Sequence, residues 1–229
     1  MRAAVRTKYG PPDVVRVSDV AKPAVKEHEV LVKVHATTVN RTDCALRAAK
    51  PFIWRFFTGL IRPKVRILGN EFAGEVEAVG AGVTSFKVGD KVFGYNDVSF
   101  GAHAEYMPIR HDGALAIMPA GLTYEEAAPS TEGSHYALSI IRAAKIRSGQ
   151  EVLVYGATGA IGSAAVQLLK GLGAVVTAVC DTKNVALVRA WAPTGSSTTR
   201  PGISRRTSRP TTSSSTRSAR ARSADAGGC

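Results

Sequence analysis

The stretch 151–180 constrains this chain more than any other. Glu151–Tyr155 (EVLVY) is an apolar strand, 156–162 (GATGAIG) is a glycine turn, Ser163–Leu172 has helical periodicity, and Ala174–Cys180 is a second apolar strand. In that order they make one βαβ unit, the building block of a parallel sheet covered by helices on its faces. The turn carries a second meaning. Glycines at 156, 159 and 162, where a helix opens, let backbone amides reach a pyrophosphate with no Cβ in the way, and the helix dipole favours the anion. Gly156, Thr158, Gly159, Ala160, Ile161 and Gly162 are therefore the candidate dinucleotide-binding residues. The bland alternative is a glycine turn that serves only helix–sheet packing.

The end of the second strand bears on which dinucleotide would fit. A carboxylate there suits the ribose hydroxyls of NAD(H), whereas a neighbouring cation suits the 2′-phosphate of NADP(H). Asp181 falls late for the ribose role, and Lys183 can meet a phosphate, so NADP(H) is favoured over NAD(H). Upstream, the chain changes period. Short strands at 3–6, 14–17, 29–36, 71–79 and 91–94, punctuated by Gly10, Gly80, Gly82 and the Gly89–Asp90 turn, suggest a small, partly open β-barrel. Thr123 with Glu126 three residues on is a capping box. It opens a helical run through Ala127 and Ala128, and a second is expected from about Ser134 to Ala144.

The formal charge of +12 suggests a polyanion binder until it is located. Residues 191–229 hold seven Arg and one Asp, so this segment carries +6 and the other 190 residues carry the remaining +6. Nine Ser, seven Thr and no Leu, Val, Phe or Tyr leave that tail without the apolar surface to offset ordering entropy, and disorder is expected. It can be read as a basic arm for nucleic acid or as a frameshift product. All but Ile203 and Asp225 can be encoded with G or C at the second codon position. One base earlier, Trp191–Thr194 decodes compatibly as a Leu-Gly-Ala-Asp run. Three scattered cysteines give no disulfide framework, no secretory signal is visible, and the longest apolar stretch, Pro51–Ile61, is interrupted by Arg55 and far short of the ~20 residues of a span. A cytoplasmic protein with no membrane partner is expected.

The stretches 69–80 (GNEFAGEVEAVG), 86–94 (FKVGDKVFG) and 148–162 (SGQEVLVYGATGAIG) resemble the medium-chain dehydrogenase/reductase superfamily, in particular its zinc-free quinone oxidoreductase and enoyl reductase branch. The resemblance runs from residue 1 to about 190. It implies an α/β protein with a GroES-like catalytic barrel at 1–122 and a Rossmann domain begun at 123–190 and left incomplete, followed by the disordered tail 191–229. It also implies an NAD(P)H-dependent transfer of hydride to a quinone or an α,β-unsaturated carbonyl, impaired in so short a chain. The other readings are an alcohol dehydrogenase-type enzyme and a nucleic-acid binder using the arginine tail. No nucleic-acid partner is expected, nor the family's usual dimer, whose edge strands are missing.

Where zinc dehydrogenases of this superfamily carry a ligating Cys and His, this sequence has Asn40 and Asn70, amides that are poor zinc ligands. No zinc is expected, and Cys44 reads as a small buried residue. Asn40 and Tyr95 are the candidate catalytic residues. Asn40 either hydrogen-bonds the acceptor carbonyl or terminates a strand; Tyr95 either donates a proton or packs on the barrel rim. Asp43 is expected to cap or to pair with Arg41 or Arg47. His135 and Gly133 depart from the family, which often has a nicotinamide-contacting Thr at 133. Trp54, Phe56 and Phe57 with Arg55 and Arg62 form an insertion read as a substrate wall or as loop packing.

Overall fold

The computed structural model describes residues 1–191 and the backbone of 195–198. The chain divides into two compact units, the first Met1–Thr131 and the second beginning at Glu132.

The first unit is built on an antiparallel five-stranded sheet. Strands β1 (Arg2–Arg6) and β2 (Val15–Asp19) form a separate hairpin, and the sheet itself takes β3 (Glu29–Thr37), β4 (Glu71–Val79), β5 (Lys91–Tyr95), β6 (Tyr106–Arg110) and β7 (Leu115–Ile117) in the order β6-β3-β4-β5-β7. Isolated bridges from Ala3 to Ala104 and from Val5 to Ile67 stitch the hairpin on. β3 has irregular register with β4 at Leu31/Val32 and Val34/Ala36, and such bulges increase local twist and bend a sheet towards closure. Val30, Val32, Phe72, Val76, Val92 and Met107 fill the interior, each no more than 1% exposed.

Two short helices interrupt the strands, α1 (Arg41–Ala48) and α2 (Trp54–Thr58). A third, α3 (Tyr124–Ala127), opens on the expected capping box of Thr123 and Glu126. It falls within the first compact unit, Met1–Thr131. Ala127 and Ala128 bury against Ala73 and Met118, an apolar contact that a boundary drawn from the capping signal alone does not register.

The second unit begins with α4 (Glu132–Ala143) and continues through β8 (Glu151–Tyr155), α5 (Ala160–Gly171), β9 (Val175–Cys180) and α6 (Val185–Ala190). β8 and β9 pair in parallel, Tyr155 opposite Val179. Val154, Val166, Leu169, Val176 and Ala178 form its core. One expectation needs correction. Four residues of the segment expected to be disordered, Gly195–Thr198, form strand β10, which pairs in parallel with β9 from Gly195 opposite Thr177 to Thr198 opposite Cys180. Serine and threonine can still supply backbone amides and carbonyls to a neighbouring strand, whatever their side chains lack in apolar area. The rest of the tail, 199–229, lies outside the described residues. β8 is the other edge of this sheet among the described residues, with Leu153 and Tyr155 66% and 75% exposed.

Candidate functional site

Each unit holds one candidate site. In the first, the ends of β3, β4 and β5 gather polar side chains. Asn40 is the N-cap of α1: its Oδ1 accepts the backbone amides of Thr42 (2.9 Å) and Asp43 (3.3 Å), and Asp43 Oδ2 accepts the Asn40 amide in return. This fixes the Asn40 side-chain amide, whose Nδ2 then donates to Asn70 Oδ1 at 2.8 Å and to Glu71 Oε2 at 3.4 Å. Asn70 is fully buried, and its Nδ2 has no acceptor among the described residues. The Glu71 carboxylate, 5% exposed, also accepts the hydroxyls of Thr38 (2.6 Å) and Thr131 (3.2 Å). Tyr95, half-buried at the end of β5, stands opposite Glu71 across the ladder.

Of the two candidate catalytic residues, Asn40 thus caps a helix three residues beyond the end of β3, with its donors engaged inside the cluster. Asp43 caps as expected, and among the described residues it forms no ion pair with Arg41 or Arg47. Its Oδ1 accepts the Gly69 amide at 2.8 Å, and His103 Nε2 lies 3.9 Å from Oδ2 while meeting the Thr38 carbonyl at 2.8 Å. Gly69 has φ +87°, and a Cβ there would lie 2.5 Å from the His103 ring. Thr131 lies in the segment 130–135 that the resemblance places near the cleft, whereas Thr38 and His103 escaped the sequence reading because no local pattern links residues some 30 to 65 positions apart. Cys44 is half-buried on α1. Beside this cluster a cavity of about 640 Å³, mostly apolar, is lined by Val15, Val34, His35, Asp43, Leu68 and His103 among others.

The donor set does not fit a catalytic zinc. Asn40 and Asn70, at the positions singled out for ligands, hydrogen-bond each other, and among the described residues no group of three or more His, Cys, Asp or Glu is arranged to hold a metal.

In the second unit the glycine turn joins β8 to α5, and each glycine has a different reason to be there. Gly156 has φ +79°, a conformation that disfavours a side chain. A Cβ on Gly162 would fall 2.1 Å from the Gly156 carbonyl oxygen, so this glycine lets the helix start against the turn. Gly159 has neither excuse: its φ is −75°, and a Cβ would meet nothing closer than 3.6 Å. The turn is tied down by the amides of Gly156 and Ala157, both bonded to the Val179 carbonyl.

The first helical bond of α5 runs from Ser163 to Gly159 O at 2.8 Å, which leaves the amides of Ala160, Ile161 and Gly162 without a helical acceptor. The N-cap supplies no side-chain hydrogen bond. Thr158, Gly159, Ala160 and Ile161 are exposed, so this array of donors faces outward. Asp181 and Lys183, both exposed, follow the carboxyl end of the adjacent strand β9, the position where open α/β sheets bind ligands. The residues present fit a dinucleotide pyrophosphate. Gly133 is buried in α4, and a Cβ there would lie 2.7 Å from the Ala160 carbonyl oxygen. A side chain at 133 would press on the start of α5. His135 is exposed and packs edge-on against Tyr136.

Residues 26–120 match the family model of the alcohol dehydrogenase GroES-like domain. The chain is 35% identical over 189 residues to a quinone oxidoreductase of Sus scrofa, an alignment that covers 80% of this chain and 54% of that protein. It spans about half the length of the curated relatives it matches. Among solved structures, the quinone oxidoreductase from Coxiella burnetii superposes with a TM-score of 0.76 at 28% identity, covering 86% of this chain and 61% of the other. The Escherichia coli quinone oxidoreductase complexed with NADPH gives 0.73 at 25% identity, covering 86% and 58%. The chain therefore carries an alcohol dehydrogenase GroES-like domain over residues 26–120 and is similar in sequence and in fold to quinone oxidoreductases.

Proposed function

We propose that this chain is part of an NADPH-dependent, zinc-independent reductase whose acceptor is a quinone or an α,β-unsaturated carbonyl. The observation that carries the reading is the outward array of amides at Ala160, Ile161 and Gly162 behind a glycine, Gly159, that the fold itself does not require. Those amides and the α5 dipole would hold the pyrophosphate, and Lys183 beside Asp181 favours a 2′-phosphate over a bare ribose. When bound, NADPH supplies the hydride. In the barrel, the Asn40–Asn70 pair stands where a Lewis acid would be needed to activate an alcohol, which points to an acceptor already electrophilic enough to take hydride directly. Tyr95 is the proton donor in this reading, completing a transfer in which the acceptor gains two electrons and two protons' worth of hydrogen, one as hydride and one from the phenol.

Titration with NADPH, followed by cofactor fluorescence, tests the reading. The native chain should bind, and Gly159→Val, which places a branched side chain in the pyrophosphate's path, should bind at least about tenfold more weakly with an unchanged circular dichroism spectrum. Equal affinity in the two proteins would remove the proposal. Benzoquinone and an enone, offered with NADPH and with NADH, then distinguish the acceptor and the cofactor.

A further inference from the structure

We propose that the segment 50–66 is a docking element for a membrane surface that carries anionic phospholipids. It stands apart from the hydride-transfer reading, takes the insertion read above as a substrate wall or loop packing, and runs against the expectation of no membrane partner. Phe56, Phe57 and Ile61 are 67%, 73% and 82% exposed, and Phe52, Ile53 and Leu60 are each more than half exposed. Such a concentration of aromatic and aliphatic surface in one short stretch marks an interaction site rather than ordinary scatter. No helix among the described residues is long and apolar enough to cross a membrane. Length excludes a span by this segment and leaves open a stretch that lies in the headgroup layer.

Three features fit such a layer. The first is charge. No Asp or Glu occurs between Asp43 and Glu71, while Lys50, Arg62, Lys64 and Arg66 are exposed and none is in an ion pair among the described residues. Cations flanking an apolar, aromatic stretch are what an anionic leaflet attracts. A second copy of this chain would set those four cations against four more. The second feature is where Arg55 goes. Its guanidinium lies over the rings of Tyr9 (4.8 Å) and Phe52 (5.1 Å), half-buried, so the one charge inside 51–61 is turned back onto aromatic faces. The apolar surface between Lys50 and Arg62 is left uninterrupted.

The third feature is the backbone. The amides of Trp54, Arg55 and Phe56 bond to the carbonyls of Pro51, Phe52 and Ile53, and Gly59 N–H bonds to Arg55 O. Backbone groups already paired can enter a low-dielectric layer without the penalty of bare ones. The Tyr9 hydroxyl donates to Gly59 O at 2.7 Å and meets Thr58 Oγ1 at 2.9 Å, so the element is held to the barrel as it is presented. Ordering entropy is thereby met in folding, ahead of any docking.

Trp54 reports on the element directly, because the only other tryptophan is Trp191. The full chain carrying Trp191→Phe is titrated with vesicles of phosphatidylcholine alone and of equal parts phosphatidylcholine and phosphatidylserine, each with brominated acyl chains. Quenching of Trp54 emission by the anionic vesicles, absent with the neutral ones and reversed by salt, is the expected result. Phe56→Ser with Phe57→Ser should weaken that binding at least about tenfold with the fold unchanged, since two exposed rings lose their burial. In the otherwise native chain, Trp54→Phe should abolish the quenching, which keeps the test sound should Trp191→Phe misfold. Sedimentation with anionic vesicles while Trp54 stays unquenched would assign the attachment to the arginine-rich tail and overturn the proposal. So would self-association that depends on Phe56 and Phe57 in the absence of vesicle binding, or no association at all.

Discussion

Asn40 donates its side-chain amide to Asn70 at 2.8 Å while its own oxygen receives the backbone amides of Thr42 and Asp43. One side chain thus closes the end of α1 and sets the orientation of a buried amide thirty residues away. Its hydrogen-bonding capacity is taken up by structure.

Replacing Asn40 by alanine should destabilise the protein by about 1–2 kcal/mol through the lost cap, with a further loss because Asn70 Oδ1 is left without its donor. Asn40→Ser, which keeps a cap acceptor, should recover most of the cap contribution. Urea unfolding of the three proteins measures this, and equal midpoints for Asn40→Ala and native protein would contradict it.

Gly162→Ala and Gly159→Ala should part company. The first forces a Cβ to 2.1 Å from a carbonyl oxygen and should cost about 1–3 kcal/mol by overpacking. The second meets only ordinary contact and should cost less, about 0.5 kcal/mol, because alanine is a poorer N-cap than glycine. Thermal unfolding read at α-helical wavelengths distinguishes the pair.

Gly133→Thr should lower stability by about 2 kcal/mol or more, since the new side chain meets the Ala160 carbonyl. Thermal unfolding measures it, and a neutral effect would contradict the close approach of α4 to the start of α5.

Arg6, at the end of β1, is 1% exposed and donates to the Leu46 and Val65 carbonyls. Burial lowers its pKa, against the smaller pull of Tyr9 and Asp43. Arg6→Met should cost about 2–4 kcal/mol by leaving two carbonyls unpaired, and Arg6→Lys should rescue little, because one ammonium cannot reproduce the guanidinium fork. Chemical denaturation of both variants checks the order.

The elements that sequence made legible are those whose signal is local. The βαβ unit, the capping box of Thr123 and Glu126, and the long strands β3 and β4 announce themselves through period and punctuation. α1 and α2 do not. α1 is short, its apolar positions are few, and its start depends on Asn40, which sits equally well at a strand end. The site is legible by halves for the same reason. The glycine turn is a contiguous motif, whereas the polar cluster around Glu71 draws on Thr38, Asn40, Asn70 and Thr131, brought together by pairing of strands far apart in sequence. The tail shows the limit of composition. Ser and Thr said nothing for a strand, yet the backbone of Gly195–Thr198 pairs along β9.

Gly159 has a consequence for how such a turn is maintained. At a helix N-cap, serine, asparagine or aspartate would satisfy an amide that glycine leaves bare, and the fold has room for them. A library randomised at 156, 159 and 162 and sorted only for folded protein should therefore return glycine at the outer two positions and drift to capping residues at the middle one. On the proposed reading, glycine at 159 serves the pyrophosphate rather than the helix, and the helix is the poorer for it.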